Sequence, residues 1–444
     1  MVAPVEQSWR GAAVWRWLDG HINRETGVGA PPGGAVLPAP TRGTIEQLLH
    51  TLGHPERGMP VVLVAGTNGK TTTARILARL LDATGLQVGC YTSPHLHRPH
   101  ERIAIGTATI TDSELAAALL PLIDHAGSSS QASWFELMTA AAVAWFADRE
   151  VDVAVVETGL GGAGDATAAL GARLVAVTSV GVDHVEYFGP TRWDNAVAEA
   201  GAVPDGATLV LAEVDPGMHP PFLARRPGRV LLAGRDFGVA ADTAIADGRT
   251  VSLFTPGAGY EAVHLGLPAP WQVASAAVAL VTAETWLGAP LSDRAVREVL
   301  AGARSPGRFE LVHTPNPVVV DGAHNPAAAA ALADALQERF GRVARHVVVG
   351  MTGARDALAF LDALGVGPDD RVICVEPRTP RAMRAGAIAD AARALGADSV
   401  SEHDDVGRSV RAAAEAQDSL TVVTGSLYVA AEALPVARAL AGKT

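Results

Sequence analysis

VVLVAGTNGKTTTARIL, Val61–Leu77, changes its backbone period within one short stretch. Val61–Ala65 is an unbroken apolar run, rich in β-branched residues, and predicts a strand covered on both faces. From Thr71 onward Ile76, Leu77, Leu80 and Leu81 fall on one helical face, predicting a helix over Thr71–Ala83. Between them Gly66, Thr67, Asn68 and Gly69 make a tight turn. In a strand–turn–helix of this kind the N–H groups of the turn and of the helix start converge on one spot, where the helix dipole favours an anion. Gly66 and Gly69 let the main chain pass close to a phosphate.

Lys70 stands at the start of that helix. The chain has only one other lysine, Lys443, and thirty-three arginines. A compact ammonium on a flexible stem fits a closely wrapped loop better than arginine's planar fork, so the chemistry of this position resists replacement of lysine by arginine. Thr71 offers a hydroxyl to Mg²⁺, and Thr72 continues the first turn. The full phosphate-loop pattern has a glycine where Val64 stands, so this is a shorter variant. The ligand these residues imply is a phosphate group with Mg²⁺.

Outward from this stretch the alternation continues. VGCY, VDVAVVE and LVAVTSV read as strands; Trp134–Ala147, PWQVASAAVALVTAETWL and DRAVREVLAG read as helices. Gly27–Pro40 is a Gly/Pro loop. Unbroken apolar strands imply a largely parallel sheet. ARSPGRF, Ala303–Phe309, interrupts two periodic blocks and marks a boundary: a first domain over 1–304, a linker over 305–308 and a second domain over 309–444. In the second block the strands VVVD, HVVVG, RVICV and TVVTG alternate with helices, beginning with Pro326–Phe340, which predicts a smaller Rossmann-like α/β domain.

With 48% hydrophobic and 18% charged residues the 444-residue chain is globular in composition. A net charge of 35 − 47 = −12 disfavours nucleic acid and anionic membrane as partners. Cys90 and Cys374 lie far apart in apolar runs and are expected to be buried and reduced, as in a cytoplasmic protein. The N-terminus has no apolar signal core, and no apolar run reaches the ~18 residues a membrane span needs. The longest candidate is cut by Asp148, Arg149 and Glu150. His95, His97 and His100 in HLHRPH lack a partner pair at ligand spacing and are not read as a zinc site.

Several further stretches carry a family resemblance nearly end to end: TIEQLLHTLGHPERGMP, YTSPHLHRPHERIAI, VVETGLGG, DATAAL, TSVGVDHVEYFGPT, SPGRFELV, VVVDGAHNPAAAAALADAL and VVTGSLYVAAEAL. The chain resembles the folylpolyglutamate synthase/dihydrofolate synthase branch of the Mur ligase superfamily. The resemblance implies an N-terminal P-loop ATPase domain of the Mur-ligase kind and a C-terminal Rossmann-like domain. It implies transfer of the γ-phosphate of ATP to a carboxylate, then attack by an amine, giving an amide, ADP and phosphate. By that resemblance Lys70 contacts the β/γ-phosphates, while Thr71 and Ser93 lie near Mg²⁺. Glu157, at the end of a strand, is the metal carboxylate, and His184 is a ligand of a second metal. Arg308 reaches the nucleotide phosphates; Asp321 and His324 meet the nucleotide and the acyl phosphate. The acid and amine implied by the branch are dihydropteroate or a folate, and L-glutamate. A monomer is expected.

The chain also departs from the family. Where a carbamylated lysine ligates the second metal, Glu199 stands. Two readings of Glu199 follow, a metal carboxylate acting directly or through water, and a solvated helix residue. Ala163 and Ala168 replace arginine and asparagine, Thr71–Thr72 replaces Gly-Ser, and the adenine-side stretch holds Trp271 and Ser275. GARDA, Gly353–Ala357, replaces the family's DKD stretch. These changes leave room for a ligase with non-folate substrates, or for a nucleotide-binding protein without catalysis.

Overall fold

The computed structural model describes residues 12–28, 41–126, 132–353, 355–416 and 419–442. Of the Gly/Pro stretch 27–40, residues 29–40 lie outside the described residues, as do Ala354 and Lys443. The chain divides into two compact units. The first holds residues 1–242, 250–265 and 272–303, and the second holds 243–249, 266–271 and 304–444.

In the first unit an eight-stranded sheet combines β1 (Val61–Ala65), β2 (Val88–Tyr91), β3 (Ile103–Ile105), β4 (Ala108–Thr109), β5 (Val153–Glu157), β6 (Leu174–Val177), β7 (Thr208–Leu211) and β8 (Arg229–Leu232). Their order is β4-β3-β2-β5-β1-β6-β7-β8. β1 pairs in parallel with β5 on one side and β6 on the other, placing Val64 opposite Glu157 and Ala176. Every residue of β1 and β5 is buried, as their unbroken apolar sequences require. The parallel core carries an antiparallel edge, since β3 runs against β2 and β4 against β3.

The helix after β1 spans Lys70–Asp82 and buries Ile76, Leu77, Leu80 and Leu81 against the sheet. The helix Trp134–Asp148 is apolar nearly all round because it is core; Ser133 and Glu136 close its start as a reciprocal capping box. Among the described residues no helix is long and apolar enough to cross a membrane. Cys374 is buried as expected, but Cys90, on β2, is only partly buried.

A three-stranded antiparallel sheet, β9 (Gly238–Ile245), β10 (Gly248–Phe254) and β11 (Gly259–Leu265), follows β8. The second unit is built on β12 (Glu310–Val312), β13 (Val318–Val320), β14 (Arg345–Val349), β15 (Arg371–Val375), β16 (Ser399–His403) and β17 (Leu420–Thr424), in the order β12-β13-β17-β14-β15-β16. Only β12 is antiparallel; β17 sits between β13 and β14, joined to both in parallel register. In such sheets the crevice for a ligand opens at the carboxyl ends of the strands. Lys70 follows β1, Glu157 ends β5 and Asp321 follows β13, so each lies at such an end.

Candidate active site

β1 delivers the chain into Gly66 with φ 115°. A Cβ on Gly66 would lie 2.4 Å from Thr178 Oγ1, so no other residue fits without moving the loop after β6. That loop forms the floor of the turn. Thr67 N–H donates to Ser179 O at 2.8 Å, Asn68 N–H to Ser179 Oγ at 3.1 Å, and Thr178 Oγ1 to Asn68 O at 2.7 Å. Gly181 N–H returns to Thr67 Oγ1 at 2.9 Å. Gly69 precedes the helix with φ 88° and supplies no side-chain cap, so the positive helix end faces the turn. The Lys70 ammonium curls over the turn, donating to Gly66 O at 2.6 Å and Thr67 O at 3.1 Å. Thr72 is buried in the first turn of the helix.

At the residue after the lysine, three segments meet: the Thr71 hydroxyl, the Glu157 carboxylate and the backbone of Ser93. Thr71 Oγ1 donates to Glu157 Oε1 at 2.8 Å, and the other carboxylate oxygen accepts Ser93 N–H at 2.9 Å. Glu157 is only 1% exposed. Hydroxyl and carboxylate oxygens beside a glycine turn and a helix N-terminus fit magnesium, which takes one or two carboxylates and completes its shell with phosphates and water. Among the described residues no three His, Cys, Asp or Glu side chains converge into a metal cage. A site that relies on phosphate oxygens is consistent with that. Of the HLHRPH histidines, His95 pairs with Arg102 and His100 with Asp112.

His184 lies on another segment. It has φ 51° at the start of the short helix Val185–Phe188, takes Asp183 Oδ1 on its N–H at 2.8 Å, and meets Phe188 edge-on at 6.2 Å. Glu199 is not a solvated helix residue. It is 3% exposed, and its Oε2 accepts Gly66 N–H at 3.1 Å. Burial pushes its carboxyl above the usual range, Lys70 pulls it back, and the charges of Asp165 and Asp183 push it up again.

Two features of the site escaped the sequence reading. Asp165, in the quoted DATAAL, holds the 159–165 turn by accepting Gly161 N–H at 2.9 Å, Thr167 N–H at 3.0 Å and Thr167 Oγ1 at 2.6 Å. The floor made by Thr178 and Ser179 opens the quoted TSVGVDHVEYFGPT, where the resemblance gives a role to the downstream histidine only.

In the second unit Asp321 Oδ2 accepts Phe309 N–H and Oδ1 accepts Ala323 N–H, both at 2.7 Å. Burial raises its carboxyl above the usual range, against the pull of Arg308. The Arg308 guanidinium covers Gly322, where a Cβ would lie 2.4 Å from Nη1. His324 Nδ1 is 2.9 Å from Gly322 O; a carbonyl only accepts, so Nδ1 carries the proton and Nε2 is the acceptor nitrogen of the neutral ring. Arg308, Asp321 and His324 are thereby gathered on one pair of turns.

Residues 64–200 match the Mur ligase middle domain, and residues 307–427 match the Mur ligase glutamate ligase domain. The chain is 35% identical over 382 residues to the dihydrofolate synthase/folylpolyglutamate synthase of Mycobacterium tuberculosis, covering 80% of this chain and 78% of that one. A structure of Mycobacterium tuberculosis folylpolyglutamate synthase complexed with ADP superposes with a TM-score of 0.84 at 32% identity, covering 97% of this chain and 98% of that one. The Yersinia pestis bifunctional folylpolyglutamate synthase/dihydrofolate synthase complexed with AMPPNP and Mn ion gives 0.80 at 27% identity, with 97% and 98% covered. With two Mur ligase domains and a relative 35% identical over 80% of its length, this chain belongs to the folylpolyglutamate synthase/dihydrofolate synthase family of Mur ligases.

Proposed function

We propose that the protein is an ATP-dependent acid–amine ligase that forms an amide through an acyl phosphate. Its cofactors are ATP and Mg²⁺, its acid is dihydropteroate or a folate, and its amine is L-glutamate. The observation that carries this reading is the meeting of Lys70, Thr71 and Glu157 on a glycine turn at the end of the central strand. Lys70 and the N–H groups at the start of the helix Lys70–Asp82 hold the β- and γ-phosphates. Thr71, Ser93 and Glu157 hold the cation, with His184 reserved for a second one. Bound magnesium screens the repulsion between the substrate carboxylate and the triphosphate. The acid's oxygen bonds to the γ-phosphorus as the bond to ADP breaks; the amine nitrogen then attacks the carbonyl carbon, phosphate departs, and the nitrogen loses a proton. Arg308 and Asp321 serve the nucleotide from the 309–444 domain, and His324 presents Nε2 to the acyl phosphate and the incoming amine. We take the active form to be a cytoplasmic monomer, which size-exclusion chromatography and cell fractionation check.

ADP release from purified protein with ATP, Mg²⁺ and a panel of acids and amines tests the reading. Turnover that requires dihydropteroate or tetrahydrofolate together with glutamate is the expected result. Turnover only with other pairs replaces the substrates but keeps the reaction. ATP binding without turnover under any pair removes the catalytic reading.

A further inference from the structure

Glu199 reaches the phosphate loop from the helix Arg192–Ala200, 133 positions along the chain from Gly66. A glutamate is a short lever for that distance, and three glycines bring the elements close enough. A Cβ on Gly161 would lie 2.9 Å from Glu199 Oε2, one on Gly162 3.2 Å from Ala198 O, and one on Gly201 2.6 Å from Ala163 N. The helix thus rests directly on the backbone of the 159–163 turn, and the carboxylate passes beneath the loop.

What it meets there is the residue where strand becomes loop. Gly66 is held on both sides: its N–H by Glu199 Oε2 at 3.1 Å, and its carbonyl by Lys70 Nζ at 2.6 Å. The two contacts grip the same residue from its donor and its acceptor side at once. Glu199 shares its surroundings with Asp165 and Asp183, but these three do not close on a common centre; among the described residues no trio of potential ligands does. Glu157 meets the Thr71 hydroxyl, an oxygen that can turn to a cation, whereas the Glu199 carboxylate takes its hydrogen bond from the backbone N–H of the loop itself, a contact that fixes the loop.

We propose that Glu199 is a positioning residue of the phosphate loop. Its carboxylate presets Gly66, and through it the direction of the loop's remaining N–H groups, in place of ligating a second metal ion. The inference rests on the loop being the nucleotide site, as proposed above.

Reach and charge separate the two roles. Glu199→Gln keeps an acceptor oxygen at the same reach and removes the charge. Glu199→Asp keeps the charge and withdraws the oxygen by one methylene. The probes are Mg·AMPPNP by titration calorimetry, and Mn²⁺ by electron paramagnetic resonance at saturating AMPPNP, each with a melting curve. Positioning requires that Glu199→Gln keep both affinities within about threefold of wild type. It also requires that Glu199→Asp weaken the nucleotide about tenfold and raise KM for ATP in step, with Mn²⁺ affinity retained. A tenfold loss of Mn²⁺ or nucleotide affinity in Glu199→Gln overturns the proposal, and so does wild-type nucleotide affinity in Glu199→Asp. Wild-type protein that binds no Mg·AMPPNP at all brings down the nucleotide-site reading itself, which is a distinguishable result.

Discussion

At Lys70 the geometry explains a compositional oddity. Its ammonium fits between two carbonyl oxygens at 2.6 and 3.1 Å, a gap that suits a point charge and not a planar fork. Lys70→Arg is expected to lower ATP turnover by about 10²–10³-fold, the scale of removing one donor from a charge-stabilising site, with the melting temperature little changed. Steady-state ADP release and thermal denaturation check this. Glu157 accepts a hydroxyl and an N–H on its two oxygens; Glu157→Gln replaces one acceptor with a donor aimed at another donor. The Mg²⁺ concentration for half-maximal activity should rise by roughly 10–100-fold, measured by Mg²⁺ titration at fixed ATP. A third outcome follows from the sequence. With Glu199 standing where the family carries its carbamylated lysine, no carbamylated side chain can form at that position, so removing CO₂ and bicarbonate from the assay should leave the rate unchanged.

At the scale of elements, the strand–turn–helix unit depends on Gly66. A Cβ there overlaps Thr178 Oγ1 and meets the backbone N–H groups of Thr178 and Ser179, while φ is 115°. Gly66→Ala should cost about 1–3 kcal/mol of stability and abolish nucleotide binding, read by chemical denaturation and calorimetry. The elements of the parallel core were legible because apolar residues run unbroken through β1, β5 and β6. The sheet of β9, β10 and β11 was not legible. β9 exposes most of its residues, and in β10 burial alternates around Val251 and Leu253, so no apolar run marks either strand. The antiparallel edge of β3 and β4 was missed for another reason: strands of three and two residues give no period to read.

Across the whole molecule the pH response carries a further test. Arg102, 1% exposed, donates through Nε to His95 Nδ1 at 2.9 Å and pairs with Glu25 from the 12–28 segment, its guanidinium lying 4.6 Å over the Trp134 ring. Burial, then the charge of Arg102, pushes the His95 imidazole down to about 4. In the unfolded chain it takes a proton near the ordinary value of about 6.5. Between these values the unfolded state holds more protons than the folded one, so stability falls as the pH is lowered through that window. This one group should remove about 2 kcal/mol between pH 7 and pH 5, and His95→Gln should flatten that slope in urea denaturation.

Sequence by itself determined the local and periodic features. It placed the phosphate turn between a buried strand and an amphipathic helix, and it marked the alternation that makes each unit α/β. Both follow from interactions within a few residues or from uniform burial of a strand. It also marked position 199 as a departure, but left open whether the carboxylate faced solvent or metal. Only the tertiary structure shows the carboxylate buried and bonded to Gly66 N–H, because that contact spans 133 positions and needs glycines that let a helix rest on a distant turn. The floor laid by Thr178 and Ser179 belongs to the same class. Its effect comes from where a neighbouring strand ends in space, which no local period encodes.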